Sequence, residues 1–310
     1  MIDRCTICNS DDISEYKSII GPYTESPYTL YKCNACQSFF FDEAEHNIDL
    51  ASLYNFETKK HDSKFVVRKY WTDEVNYIIR TLESPKKNLK VLDVGCRTGD
   101  FLMHWDKNHE LYGVELNEFN AGIAQERGLN IYCDFIENIE FDKKFDVITC
   151  YALLEHIARP VKLLEKLISI LETDGILVIL IPSIETKLVE KLQKRNLHWH
   201  MFTPPEHLSF YSRQFLDHFM VKHGMNLNKR KYTSGGLAGR YSKRSPYYEI
   251  FKNPDSERLA SYYNATLDIK PKRIYIWQTK ILTILERFLP NKYPYYDHMY
   301  SYYRKSSTNV

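Results

Sequence analysis

Short apolar stretches of strand length recur through the middle of the chain. They are Val91-Leu92, Leu111 to Val114, Asn130 to Cys133, Phe145 to Ile148 and Ile176 to Ile181. Mixed segments with helical spacing separate them. Strands alternating with helices predict an α/β fold on a mostly parallel sheet. Downstream, Ser212 is placed to cap a helix running to about His223, which Gly224 would end. Upstream, Phe65, Tyr70, Trp71, Tyr77 and Ile78 recur at near-helical spacing and predict a helical linker over 41–87, closed by Ser84-Pro85.

The stretch from Val91 to Leu102 adds chemistry to this pattern. The first strand ends in Asp93, and a loop runs from Gly95 to Gly99 into the next element. The second strand ends in Glu115. Glycines let backbone approach a ligand, and an acid at the tip of the following strand accepts hydrogen bonds from ribose hydroxyls. The spacing differs from G-x-G-x-x-G because no third glycine opens the helix. The loop therefore suits a cofactor that carries an adenosine but no phosphates.

Composition narrows the class. The chain has 310 residues and a formal net charge of +2, and no run of eighteen apolar residues, so no spanning helix is predicted. A basic-then-apolar leader is also missing from its start, which leads us to expect a cytoplasmic protein. Seven cysteines in that setting point to thiols and metal rather than disulfides. Four form two C-x-x-C knuckles, Cys5/Cys8 and Cys33/Cys36, separated by 24 residues. Four converging thiolates are a structural zinc set with no open position for chemistry. Cys133 and Cys150 read as packing residues, as does Cys96 within the glycine loop.

The glycine loop and its downstream acids resemble the class I S-adenosylmethionine-dependent methyltransferases. Asp93, Gly95 and Gly99 match their first motif, D-x-G-C-G-x-G, while Arg97 replaces its middle glycine. Asp134 follows the third strand, Leu154-Glu155-His156-Ile157 the fourth, and Asp174-Gly175 opens the fifth. The resemblance covers roughly 88–235. It implies a Rossmann-like sheet whose last strand is antiparallel, with S-adenosylmethionine held by Asp93, Gly95, Cys96, Arg97, Thr98, Gly99, Glu115, Leu116, Asp134, Phe135 and Tyr151. A helix cap is the alternative reading of Asp134.

After the fifth strand the chain runs from Leu197 to Phe210 through His198, Trp199, His200, Pro204, Pro205, Glu206 and His207. In open α/β sheets ligands gather beyond the carboxyl ends of the strands, and histidine is the natural base near neutral pH. This segment, with the cysteine knuckles, is similar to sugar methyltransferases that carry an N-terminal zinc-binding domain. Their C-methylating members have Tyr-x-Glu-His-x-Ser here. Glu206, His207 and Ser209 match, but Pro204 holds the tyrosine position. The Pro-Glu-His-Leu form is shared with methyltransferases of O-antigen and capsule clusters. The resemblance implies methyl transfer to a sugar or sugar-nucleotide hydroxyl. His207 would be the base, oriented by Glu206, with His156 the competing base and His200 a further candidate. C-methylation of a nucleotide keto-sugar, an RNA methyltransferase and a non-catalytic scaffold remain as other readings.

The expected organisation is a zinc module over 1–40, the linker over 41–87, the cofactor domain over 88–235, a basic tyrosine-rich helical insertion over 236–296, and a last strand with its tail over 297–310. Residues 226–310 hold sixteen Lys and Arg against six Asp and Glu. Ile274, Trp277, Ile281 and Phe288 share one helical face, so 270–290 reads as a packing or lid helix, or as a peripheral contact with an anionic membrane; nucleic acid is the weaker partner.

Overall fold

The computed structural model describes residues 2–22, 27–42, 68–82, 88–233, 248–266 and 297–306. A seven-stranded sheet forms its centre. The first strand of that sheet is β4 (Lys90–Val94), which pairs in parallel with β5 (Glu110–Val114) on one side and β7 (Phe145–Tyr151) on the other. β6 (Asn130–Tyr132) extends the sheet beyond β5, and β8 (Leu171–Pro182) extends it beyond β7, both in parallel. β11 (His298–Lys305) then inserts antiparallel between β8 and β10 (Met225–Thr233), giving the order β10-β11-β8-β7-β4-β5-β6. The predicted α/β class and its reversed final strand are both present.

The strands form where the apolar runs predicted them. Val91, Val147, Ile148, Leu177, Val178 and Ile179 are fully buried, as strands covered on both faces require. One difference lies at Asp174-Gly175. The turn expected there interrupts the register inside the longer β8: Phe145 faces Leu171, yet Val147 faces Ile176. A Cβ on Gly175 would meet the Glu172 carbonyl at 2.8 Å, so this backbone crossing needs glycine.

Helices cover the sheet. α1 (Lys69–Thr81) is the described part of the linker and buries Glu74, Val75 and Ile78. Glu74 accepts a 2.5 Å hydrogen bond from the Tyr302 hydroxyl, which ties α1 to the last strand. α2 (Glu118–Glu126) and α3 (Pro160–Ser169) follow β5 and β7, and α4 (Lys187–Lys194) follows β8. α5 (Arg213–Lys222) is capped by Ser212, whose hydroxyl accepts from the Phe215 N–H at 2.9 Å. α6 (Tyr248–Lys252) and α7 (Ser256–Thr266) pack Phe251 and Tyr262 edge-to-face in the core. Among the described residues no helix is long and apolar enough to cross a membrane. The expected membrane-facing stretch, 270–290, and most of the linker and insertion lie outside them.

The cysteine module is joined to the main domain by strand pairing. β1 (Ile13–Ile19), β2 (Tyr28–Cys33) and β3 (Phe39–Phe41) form an antiparallel sheet, and β9 (Ser209–Phe210) adds a fourth strand to it. Phe39 faces Phe210 and Phe40 faces Ser209. The Ser212 hydroxyl donates to the Cys36 carbonyl at 2.5 Å, and the Ser212 N–H donates to the Ser38 hydroxyl at 3.0 Å. The Pro-Glu-His segment thus runs directly off the module's sheet.

Candidate active site

The glycine loop sits at the carboxyl edge of β4 and is held from three sides. Gly95 and Cys96 donate to the Val114 carbonyl at 2.9 and 3.0 Å. Gly95 has φ +77°, and its added Cβ would find only ordinary contact with Leu153, so glycine is required here by conformation. Gly99 is required by its φ of +76°, and a Cβ there, 2.2 Å from Leu129 Cδ1, would also force that side chain to move. Arg97 adopts φ +50°, the left-handed conformation that the replaced glycine would take. Arg127, just past α2, donates to the Thr98 carbonyl at 2.5 Å and pairs with Asp100 at 2.6 Å. This clamp had no signature in the sequence.

Glu115 closes the loop's other side. Its Oε2 accepts from the Arg97 N–H and its Oε1 from the Asn117 N–H, each at 2.8 Å. A carboxylate offers about four lone-pair positions, so both oxygens keep one for a ribose diol. Asp93, 4% exposed, accepts from the Thr149 hydroxyl at 2.6 Å. Burial pushes its carboxyl up to about 7, the Thr149 bond opposes this, and the Glu115 charge adds to it. Asp134 precedes the turn at Ile136–Asn138 without capping it; its Oδ1 accepts from the Phe135 N–H at 2.7 Å and from Asn138 Nδ2 at 3.0 Å. Its Oδ2 takes part in neither bond. Leu116 and Phe135 are 45% and 58% exposed at the ends of the neighbouring strands β5 and β6, two apolar surfaces beside these acids. Tyr151 ends β7 in an aromatic box: Trp71 stacks on it at 5.5 Å, and Phe101 and Tyr300 meet it edge-on at 5.0 and 5.8 Å. Among the described residues its buried hydroxyl has no hydrogen-bond partner. Glycine backbone, paired acids and open apolar platforms suit S-adenosylmethionine.

His156 and His207 gather beyond the end of β7. Their rings meet edge-to-face at 4.8 Å, and a carboxylate oxygen of Glu155, the neighbour of His156 in the chain, lies within 4.8 Å of a ring nitrogen of each. The Leu208 N–H donates to the Glu155 carbonyl at 2.7 Å, which fixes the Pro-Glu-His segment against the end of β7. His207 was expected to be oriented by Glu206. Its Nδ1–H instead donates to the Met201 carbonyl at 2.9 Å, while the Glu206 main-chain carbonyl accepts from His156 Nδ1 at 2.7 Å. Burial lowers His207 to about 4, partly offset by the Met201 bond, which makes it a weak base. Glu155 is buried and pushed up to about 8 by desolvation. Trp199 and Phe202 are core residues packed on Phe210 and do not face a ligand. His200 lies 3.8 Å from Asp297 Oδ2.

Two site residues were missed in the sequence. Because β11 is antiparallel, it starts at the carboxyl edge, and His298 faces Pro182 there. His298 Nδ1 lies 2.8 Å from Asp297 Oδ1, and Asp297 is fully buried. Burial lowers the basicity of His298, but the Asp297 bond and charge and the nearby Glu155 raise it more, so it stays above the ordinary histidine value. An acid-histidine dipeptide opening the last strand of this topology was the available signal.

The four cysteine thiols converge as their spacing predicted. Cys5 and Cys36 sulfurs are 3.9 Å apart, Cys8 and Cys33 sulfurs 3.6 Å, and all four lie within 4.8 Å of one another. Tetrahedral metal–thiolate bonds of about 2.3 Å give edges of roughly 3.8 Å, so the donor set fits zinc. The Cys8 and Cys36 thiols are displaced in opposite directions: desolvation pushes Cys8 up to about 12, and the Cys5 bond draws Cys36 down to about 5.

A family profile described as a methyltransferase domain matches residues 66–229, more than half of the chain. The chain belongs to this methyltransferase family. Family and fold together make it a class I methyltransferase of the S-adenosylmethionine-dependent kind. Among curated proteins, a ubiquinone biosynthesis O-methyltransferase of Coxiella burnetii is 31% identical over 97 residues, covering 29% of this chain and 42% of that protein. Its counterpart from Haemophilus ducreyi is 27% identical over 159 residues, covering 43% and 64%. The match thus spans about half the length of these relatives. Of solved structures, the cyclopropane synthase MmaA2 from Mycobacterium tuberculosis aligns with 15% identity over 81% of this chain and 88% of its own, at a TM-score of 0.48. A methyltransferase from Clostridium acetobutylicum aligns with 13% identity over 83% and 98%, at 0.46.

Proposed function

We propose that the protein transfers a methyl group from S-adenosylmethionine to a hydroxyl of a sugar, presented as a nucleotide sugar or a surface-polysaccharide precursor. The observation that carries this reading is the shared carboxyl edge. It sets the Glu115-bound glycine loop on one side and the histidine group of His156, His207 and His298 on the other. When bound, S-adenosylmethionine supplies an electrophilic methyl on its sulfonium sulfur. Glu115 holds the ribose, Asp134 Oδ2 takes the adenine amino group, and Leu116 and Phe135 cover the adenine faces. His298 takes the acceptor proton, because Asp297 fixes its Nδ1–H and supports the imidazolium. His207, lowered by burial, shapes the acceptor side. Sugar specificity is supported by the Pro-Glu-His-Leu segment and the cysteine module, which β3–β9 pairing makes one unit. The four thiolates hold a structural zinc that steadies this unit.

The curated relatives' name favours a second reading, in which the acceptor is a ring hydroxyl of a quinone precursor. Both are tested by incubating the protein with methyl-labelled S-adenosylmethionine and, separately, a panel of nucleotide sugars and a set of catechols. Label on a sugar oxygen is the expected result. Label confined to the catechols establishes the second reading and removes the first.

A further inference from the structure

The groups at the end of β7 do more than offer a base. One carboxylate oxygen of Glu155 and one ring nitrogen each of His156 and His207 all lie within 4.8 Å of one another. Two imidazoles and a carboxylate form the donor set of catalytic divalent-metal sites, which keep positions open for an oxygen ligand. The surroundings of these side chains match that use. Each histidine commits Nδ1–H to a main-chain carbonyl, His156 to Glu206 and His207 to Met201. Metal-ligating histidines are held in this way: the bond to the outer nitrogen fixes the tautomer and leaves Nε2 as the ligating atom. Glu155 is 1% exposed, and its Oε2 has no hydrogen-bond partner among the described residues. A buried carboxylate oxygen without a partner is costly unless a ligand completes it. The three side chains also come from two segments locked together by the Leu208 N–H to Glu155 carbonyl bond, so the spacing is built into the main chain.

We propose that Glu155, His156 and His207 bind one divalent transition-metal cation, zinc or a close relative in ligand preference, whose open positions take the acceptor hydroxyl. The site is separate from the cysteine set. Occupancy stands on its own; its catalytic use rests on the methyl-transfer reading. Coordination lowers the pKa of the hydroxyl. The acceptor oxygen gives its proton to His298, its lone pair forms the new O–C bond, and the S–C bond breaks onto sulfur, leaving S-adenosylhomocysteine. The cation changes no oxidation state.

The test is a zinc titration of the full chain against a chromophoric competitor, alongside S-adenosylhomocysteine binding to the same samples. Wild type is expected to bind two zinc ions per chain. Glu155→Gln and His207→Gln are each expected to keep one ion and to weaken the other at least tenfold, with S-adenosylhomocysteine affinity unchanged as proof of fold. Cys33→Ser is expected to lose the complementary ion. A single zinc in wild type that Cys33→Ser abolishes overturns the proposal, as does retention of two in both Gln variants. A single zinc lost in Glu155→Gln but kept in Cys33→Ser upholds this site and removes the cysteine one. Failure of wild type to bind S-adenosylhomocysteine, with two zinc ions present, rejects the methyl-transfer reading and leaves the metal site standing.

Discussion

Replacing Glu115 with Gln isolates the contribution of its carboxylate to cofactor binding. The carboxylate holds the N–H groups of Arg97 and Asn117, each at 2.8 Å, and carries lone pairs toward the cofactor side. Arg97 sits at φ +50°, a conformation that costs an L-residue roughly 1–2 kcal/mol, so its bond to Glu115 helps to keep the loop in place. Glu115→Ala removes both main-chain bonds as well as the proposed ribose contacts. It therefore loosens the loop as well. Gln keeps one carbonyl oxygen but turns an NH₂ toward a main-chain donor and removes the charge. Losing one hydrogen bond to a charged group costs about 1.5–3 kcal/mol, a weakening of about tenfold to 150-fold. Calorimetric titration with S-adenosylhomocysteine reads this directly, and urea unfolding of the apo protein reads the loop. We expect the affinity to fall by that factor, with Ala worse than Gln and less stable in urea. Affinity within threefold of wild type in the Gln variant refutes the assignment of the ribose to Glu115.

Gly99→Ala adds a Cβ 2.2 Å from Leu129 and forces φ +76° on alanine, so urea unfolding is expected to show a loss of about 2–5 kcal/mol. His298→Asn is expected to lower turnover by about 10²–10⁴ at neutral pH, with part of the rate recovered at high pH and cofactor affinity unchanged; equal turnover would return the proton to another group. Asp93 is raised by burial from 3.8 to about 7, so its contribution to apo stability is complete below about pH 4 and is lost as pH rises through 7; Asp93→Asn should flatten that fall in melting temperature between the two values. His198 is lowered by burial to about 3, so its contribution is present above about 6.5 and lost as pH falls toward 3, and His198→Phe should flatten the acid fall.

Much of this was legible because it is local. Strands announce themselves as apolar runs, and the glycine loop, its terminal acids and the C-x-x-C knuckles carry their chemistry in short spacings. Ser212 and Gly224 marked a helix that the structure contains. What stayed hidden depends on contacts between residues far apart in sequence. β9 is two residues long and pairs with a strand some 170 residues earlier, so neither partner has a periodicity to read. The same pairing places Trp199 and Phe202, packed on Phe210 of β9, in the core. The Asp297–His298 pair reaches the site only because the final strand runs backward. Glu206 was assigned an orienting role from its neighbour in sequence, whereas main-chain carbonyls orient both His156 and His207.

Every functional step requires that the carboxyl edge hold S-adenosylmethionine. Titration of the full chain with S-adenosylhomocysteine in a calorimeter should give saturable binding with one site per chain, and Glu115→Gln should weaken it at least tenfold. Heat indistinguishable from dilution with folded wild-type protein would contradict the account at its centre.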